Sequence, residues 1–174
     1  MDKIILAGYM GSGKSTVGKI LSGKLSAPFY DLDSEIEREA GLSITEIFDR
    51  KGEIYFRKLE REVLLQMVGR PGGLVLALGG GTPCYAGNDR LLKADGVTSF
   101  YLKTSVENLV ARLALEKAHR PMIADVPFDE LASFIGTHLF ERDPYYRSAH
   151  HIIDTSGLSP EEVASAIDRY LKRA

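Results

Sequence analysis

Gly8-Tyr9-Met10-Gly11-Ser12-Gly13-Lys14-Ser15 decides how the rest of this chain is read. It satisfies G-x-x-x-x-G-K-[ST], the pattern of a phosphate-binding loop. Each fixed type has a chemical reason. The glycines let successive backbone N–H groups turn inward around phosphate oxygens, a path that side chains would obstruct. A helix opening near Lys14 adds its positive dipole end. The ammonium of Lys14 can reach the β- and γ-phosphates, and the Ser15 hydroxyl is placed to ligate Mg²⁺. The flanks agree: the apolar run Ile4-Ile5-Leu6-Ala7 precedes the loop as a buried strand, and a helical pattern from Lys14 to Leu25 follows it. A nucleotide site is expected here.

Outward from this loop the same rhythm recurs. Phe29-Tyr30 leads into Ser34 to Ala40. Leu74-Val75-Leu76-Ala77-Leu78 follows a helical stretch from about Glu53 to Met67, in which Phe56, Leu59, Val63 and Met67 keep helical spacing. Val97 to Leu102 precedes Val106 to Leu115, and Ile152-Ile153 precedes Pro160 to Leu171. Five short, nearly continuous apolar runs suit strands buried on both faces, and their alternation with helices predicts a doubly wound α/β fold with a parallel sheet. The stretch 116–127, with two prolines and weak periodicity, reads as a surface loop able to act as a lid.

Composition narrows the function. The 174 residues are expected to form one domain, 1–174. A hydrophobic share of 44% and a charged share of 26% are ordinary for a globular protein. The net charge of −2 supplies no basic field for nucleic acid or an anionic membrane, so any anion must be gripped by local groups. Cys84 is the only cysteine, which excludes an intrachain disulfide and a thiolate zinc cluster. The apolar run at Ile4 is too short for a signal segment or a membrane span, and a cytoplasmic monomer is expected.

The remaining candidates lie where strands should end. Asp31-Leu32-Asp33 follows a short strand run, so two carboxylates spaced as on an extended segment can face one cleft; the alternative is that they cap a helix. Gly79-Gly80-Gly81 follows the middle apolar run, where many ATPases of this loop class carry a metal-binding acid. Three successive glycines permit close approach of a ligand to the main chain. No N-K-x-D element is present to read guanine. Arg57, Arg120 and Arg142 are candidate anion contacts, since a guanidinium matches carboxylate or phosphate through two parallel bonds. For Arg57 taken by itself, a solvated helix residue is the usual reading. His150, His151, Tyr145 and Tyr146 are read as structural.

Together these motifs resemble the shikimate kinase family, in order and spacing, over almost the whole chain. The residues that carry the likeness are Gly8 to Ser15, Asp31-Leu32-Asp33, Phe56-Arg57, Leu78 to Gly81, Arg120-Pro121 and Glu141-Arg142-Asp143-Pro144-Tyr145-Tyr146. The resemblance implies a three-layer P-loop NTPase fold with a five-stranded parallel sheet and a lid. It implies ATP and Mg²⁺ as cofactors, with shikimate as acceptor and shikimate 3-phosphate and ADP as products. By it, Gly11, Ser12, Gly13, Lys14, Ser15 and Thr16 hold the nucleotide with Arg112 along the base. Ser15 and Asp31 serve the metal. Asp33, Arg57, Arg142 and the backbone of Gly79, Gly80 and Gly81 take the acceptor, and Lys14, Asp33 and Arg120 act in the transfer. Two departures stand out: residues 154–159 lack the arginine that some members place near adenine, and Arg120-Pro121-Met122-Ile123 replaces the commoner Arg-Pro-Leu-Leu. The rival readings are another small-molecule kinase, such as a gluconate kinase, and a nucleotide-binding module without acceptor chemistry.

Overall fold

Strand β1 (Lys3–Ala7) runs through the middle of a five-stranded sheet, in a computed structural model that describes residues 2–117 and 121–173. The other strands are β2 (Phe29–Asp31), β3 (Leu74–Ala77), β4 (Val97–Lys103) and β5 (His151–Asp154), in spatial order β2-β3-β1-β4-β5. Every pairing is parallel, with Ile5 of β1 set between Leu76 of β3 and Ser99 of β4. The chain builds β2 and β3 on one side of β1 and then β4 and β5 on the other. Its direction across the sheet therefore switches at β1, and the carboxyl ends of the strands there form the crevice in which open α/β sheets bind ligands.

Alternation along β1 divides the core into two layers. Ile4 and Leu6 pack with Val17 and Leu21 of α1 (Lys14–Leu25) and with Val163 and Ile167 of α7 (Pro160–Leu171). Ile5 and Ala7 face the opposite layer, built by α2 (Leu32–Ala40), α3 (Ile44–Gly69), α4 (Val106–Glu116) and α6 (Leu131–Tyr146). A period of two on the strand thus yields helices on both faces and the expected three-layer architecture. The edge strands depart from the expectation of full burial: β2 is half-buried throughout, and β5 alternates half-buried with exposed residues.

Helix ends are set by side chains the sequence supplies. Ser43 and Glu46 form a reciprocal capping box at the start of α3, and Ser159 with Glu162 forms another at α7, where Pro160 takes the first turn. The helical stretch expected from about Glu53 is only the second half of α3. Its first half begins at Ile44, and the two meet at Gly52, whose φ of 81° breaks the helical path. Helix α6 was not anticipated. The 116–127 stretch is less irregular than expected, since α4 reaches Glu116 and a short turn of helix, α5 (Pro121–Ala124), follows. Lys117 donates to the Ala124 carbonyl at 2.7 Å across it.

Candidate active site

The phosphate loop leaves β1 and enters α1 through Gly13 in the left-handed region, φ 90°, with Gly11 at φ 78° before it. These values are ones that glycine adopts without strain and other residues rarely do. They leave the first amides of α1 facing a cavity of about 520 Å³, lined by Gly11, Ser12, Gly13, Lys14, Ser15 and Thr16 and, across from them, by Asp31, Asp33 and Arg112. Lys14 is buried, with its ammonium donating to the carbonyls of Gly8 at 2.8 Å and Tyr9 at 2.9 Å. The Arg112 guanidinium donates to the Gly11 carbonyl at 3.0 Å, which fixes it beside the loop. Beyond it the wall continues with Thr155, Leu158, Pro160 and Val163. That lining is mostly apolar, in keeping with the missing arginine.

Asp31 closes β2 and caps α2, accepting from the Asp33 amide at 3.1 Å and from the Ser15 hydroxyl at 2.6 Å. The two sequence alternatives for this pair are not exclusive, since Asp31 caps α2 and also lines the cavity. Asp33 does not lie on an extended segment as expected; it sits in the first turn of α2, and the helix start turns it into the same cavity. Burial, then the charge of Asp31, push the Asp33 carboxyl up to about 6, against the opposing pull of Lys14. A carboxylate with that affinity for protons is suited to receive one near neutral pH.

Ser15 and Asp31 place a hydroxyl and a carboxylate oxygen side by side at the phosphate loop, a hard oxygen donor set that fits Mg²⁺. Among the described residues no three His, Cys, Asp or Glu side chains gather into an all-protein cage. Mg²⁺ needs none, because it binds through one or two protein groups, phosphate oxygens and retained waters.

Gly79 and Gly80 line this cavity, and Gly81 carries the chain from them to Arg57 and Tyr85, which line a second one. A Cβ on Gly79 would stand 2.7 Å from Asp33 Oδ1, one on Gly80 would stand 3.1 Å from the Met10 amide nitrogen, and one on Gly81 would stand 3.3 Å from the Arg57 guanidinium. The second cavity, about 1000 Å³, is lined by Arg57, Arg142, Tyr85, His138 and residues 125–127. Arg57 is not the solvated residue its helix position allows. Its side chain is 18% exposed, paired with Glu60 at 3.0 Å and Glu53 at 3.5 Å, and laid on the Tyr85 ring at 3.6 Å from the centroid. Glu60 is itself buried and also accepts from the Thr82 hydroxyl at 2.7 Å. Arg142 is 8% exposed and, among the described residues, has no carboxylate within ion-pair range. One turn on in α6 is Tyr146, whose hydroxyl donates to the Gly80 carbonyl at 2.6 Å and whose proton affinity burial raises against the lowering effect of the Arg142 charge. Arg120 lies outside the described residues.

Sequence reasoning missed Glu60, Tyr85, Tyr146 and His138 as parts of this region. Glu60 alone left a readable signal, as a carboxylate three residues after Arg57 on one helix. Cys84 is half-buried, and burial pushes its thiol up to about 11, so it stays protonated and inert.

Residues 10–172 match the family model for shikimate kinase. The chain belongs to the shikimate kinase family. It is 47% identical over 167 residues to the shikimate kinase of Flavobacterium johnsoniae, covering 96% of this chain and 97% of that protein. The crystal structure of shikimate kinase from Bacteroides thetaiotaomicron superposes with a TM-score of 0.90 at 33% identity, covering 98% of each chain. Shikimate kinase from Acinetobacter baumannii, solved in complex with shikimate, gives 0.87 at 36% identity over 99% of this chain and 94% of that one. As a shikimate kinase, the chain is an ATP-dependent transferase that uses Mg²⁺ and phosphorylates shikimate. The family assignment sets aside the gluconate kinase and the non-catalytic module.

Proposed function

We propose that the two cavities are the donor and acceptor subsites and that transfer crosses the wall of Gly79 to Gly81. The observation that carries this reading is Arg142, a buried guanidinium with no carboxylate partner among the described residues. A charge so placed costs several kcal/mol unless it is met, and an acceptor carboxylate meets it. Arg57, held flat on Tyr85 by Glu60, supplies the second fork of the clamp.

In this reading the nucleotide triphosphate lies along the loop amides, with Lys14 against the γ-phosphate, Thr16 at its edge and Arg112 beside the base. Ser15 and Asp31 would hold Mg²⁺, which when bound offsets charge on the phosphate oxygens. Asp33 accepts a hydrogen bond from the acceptor's 3-hydroxyl across the glycine wall. As the hydroxyl oxygen bonds to the γ-phosphorus, the bond from that phosphorus to the β–γ bridging oxygen breaks and ADP leaves. The hydroxyl proton passes to Asp33. Catalysis of this kind rests on alignment and charge stabilisation more than on covalent chemistry. Arg120 is assigned to the phosphates on the family pattern alone. The chain is read as one domain working as a cytoplasmic monomer: both subsites come from one copy, and among the described residues no helix is long and apolar enough to cross a membrane.

The test is the initial rate of ADP release from Mg·ATP with shikimate, gluconate or no acceptor, for the parent and for Arg57→Ala. The parent should respond to shikimate alone, and Arg57→Ala should need far more shikimate at little changed ATP demand. An Arg57→Ala defect confined to ATP would move the clamp to the wrong cavity.

A further inference from the structure

Tyr9 does more than fill a variable position of the phosphate loop. Backbone amides suffice to cradle phosphate, yet its side chain is 1% exposed and ends in a hydrogen bond to His138 Nδ1 at 2.8 Å, 129 residues away. The two rings meet edge to face, with centroids 5.5 Å apart, and Phe134 also packs against the imidazole. The main chain of Tyr9 is tied as well: its carbonyl accepts from Lys14, and its carbonyl carbon lies 3.7 Å from where a Gly80 Cβ would stand. One residue thus touches the phosphate-binding lysine, the glycine wall and α6.

On α6, His138, Arg142 and Tyr146 follow at intervals of four and share one face. Arg142 is therefore flanked, one turn to either side, by a hydrogen bond to the donor side: His138 to Tyr9, and Tyr146 to the Gly80 carbonyl. The polarity of the first bond is set by its surroundings. Burial, against the opposing field of Arg142, pushes the Tyr9 phenol up to about 12, so it keeps its proton and donates. Burial, then Arg142, lower the proton affinity of His138, so its neutral ring accepts at Nδ1 and carries its proton on the other nitrogen.

We propose that Tyr9 and His138 are positioning residues whose hydrogen bond sets the spacing between the phosphate loop and Arg142, aligning the donor phosphate with the acceptor hydroxyl. The inference rests on the reading of Lys14 as donor-side and Arg142 as acceptor-side. Each ligand keeps its own contacts when the strut is cut, so the loss falls on the ternary complex and not on either binding step.

Tyr9→Phe removes one hydroxyl and keeps the ring. It should lower kcat about tenfold while KM for ATP and for shikimate each move less than about twofold. Tyr9→Phe/His138→Leu replaces both partners with apolar groups, which restores stability where an unpaired polar atom was the only harm. Its thermal midpoint should return toward the parent while kcat stays low; His138→Gln, which keeps an acceptor, should retain more kcat than His138→Leu. A normal kcat in Tyr9→Phe, a kcat that recovers with stability in the double variant, or a defect confined to one KM would each overturn the strut. Arg142→Ala run alongside separates the two levels: an unchanged shikimate KM there removes the clamp reading and the strut with it.

Discussion

Gly79→Ala tests the geometry of the acceptor site with a single methyl group. The new Cβ would stand 2.7 Å from Asp33 Oδ1 and 3.0 Å from Thr82 Oγ1, where ordinary contact begins at 3.4 Å. Thr82 cannot yield readily, because it is fully buried and its hydroxyl is bonded to Glu60. The Asp33 carboxyl must therefore retreat, by 3.4 − 2.7 = 0.7 Å or more. Gly79 is not among the positive-φ glycines, so alanine adds bulk without backbone strain. The fold should lose about 1–2 kcal/mol, the ordinary cost of one added methyl in a packed place. Catalysis should suffer more: a displacement approaching 1 Å at the group that orients the nucleophile costs roughly 10- to 100-fold in kcat. Nucleotide affinity by calorimetry should hold within about twofold, because it is Gly80, not Gly79, that lies against the loop. A kcat near the parent's would show that Asp33 is not the group transfer depends on. An equal collapse of nucleotide affinity would show that the glycine wall belongs to the donor side alone.

Asp33→Asn should abolish most turnover and yet melt higher than the parent at about pH 7.5, measured without nucleotide. The folded chain binds this proton more tightly, at about 6 against an ordinary 3.8, so ionising Asp33 costs stability as pH rises through that window. The gain should approach about 3 kcal/mol above it and vanish near pH 4, and a destabilised variant at about pH 7.5 would refute the desolvation argument. In the parent, kcat/KM for shikimate should climb about tenfold per pH unit below about 6 and flatten above it, because the base must be ionised. Arg142→Ala should raise the shikimate KM roughly 10- to 100-fold and the ATP KM little, the loss of a charge-assisted bond of about 1.5–3 kcal/mol. Glu60→Gln should raise the shikimate KM through a loosened Arg57 and lower stability by about 1–3 kcal/mol in urea melts, since Thr82 is buried with it and Arg57 is half-buried beside it.

What the sequence discloses and what it hides follow from the range of the forces involved. The phosphate loop is legible because its residue types are dictated locally, by backbone angles at Gly11 and Gly13 and by the reach of Lys14. The sheet is legible because buried parallel strands leave continuous apolar runs. Helix α6 is not, because the face it buries carries His138 and Arg142 between Ile135 and Tyr146, and polar residues in an apolar stripe blur its period. The same residues are the ones to which the proposed clamp and strut are assigned. Tyr146 reads as packing, and it does pack; that its hydroxyl also meets the Gly80 carbonyl is a contact across 66 positions with no local trace. That Asp31 and Asp33 face one cleft was argued from strand geometry, although the capped start of α2 is what turns both into one cavity.

The proposed acceptor side would also explain how a chain of net charge −2 grips an anion. Arg57 is largely neutralised by Glu60 and Glu53, so its contribution is shape: a guanidinium held flat on Tyr85 with its conformational cost met before the ligand arrives. Arg142 contributes the opposite quality. With no carboxylate in ion-pair range among the described residues, its field acts on four groups around it, opposing the upward shifts of Tyr9, Cys84 and Tyr146 and pressing His138 toward neutrality. One arginine is therefore preorganised and paired with carboxylates, the other buried with none in ion-pair range among the described residues. Making both alike would damage the site in either direction. A carboxylate beside Arg142 would satisfy the cation before the substrate arrived. Removing Glu60 would leave Arg57 only its longer pair with the exposed Glu53 and a more mobile fork, trading alignment for attraction in a reaction whose rate depends on alignment.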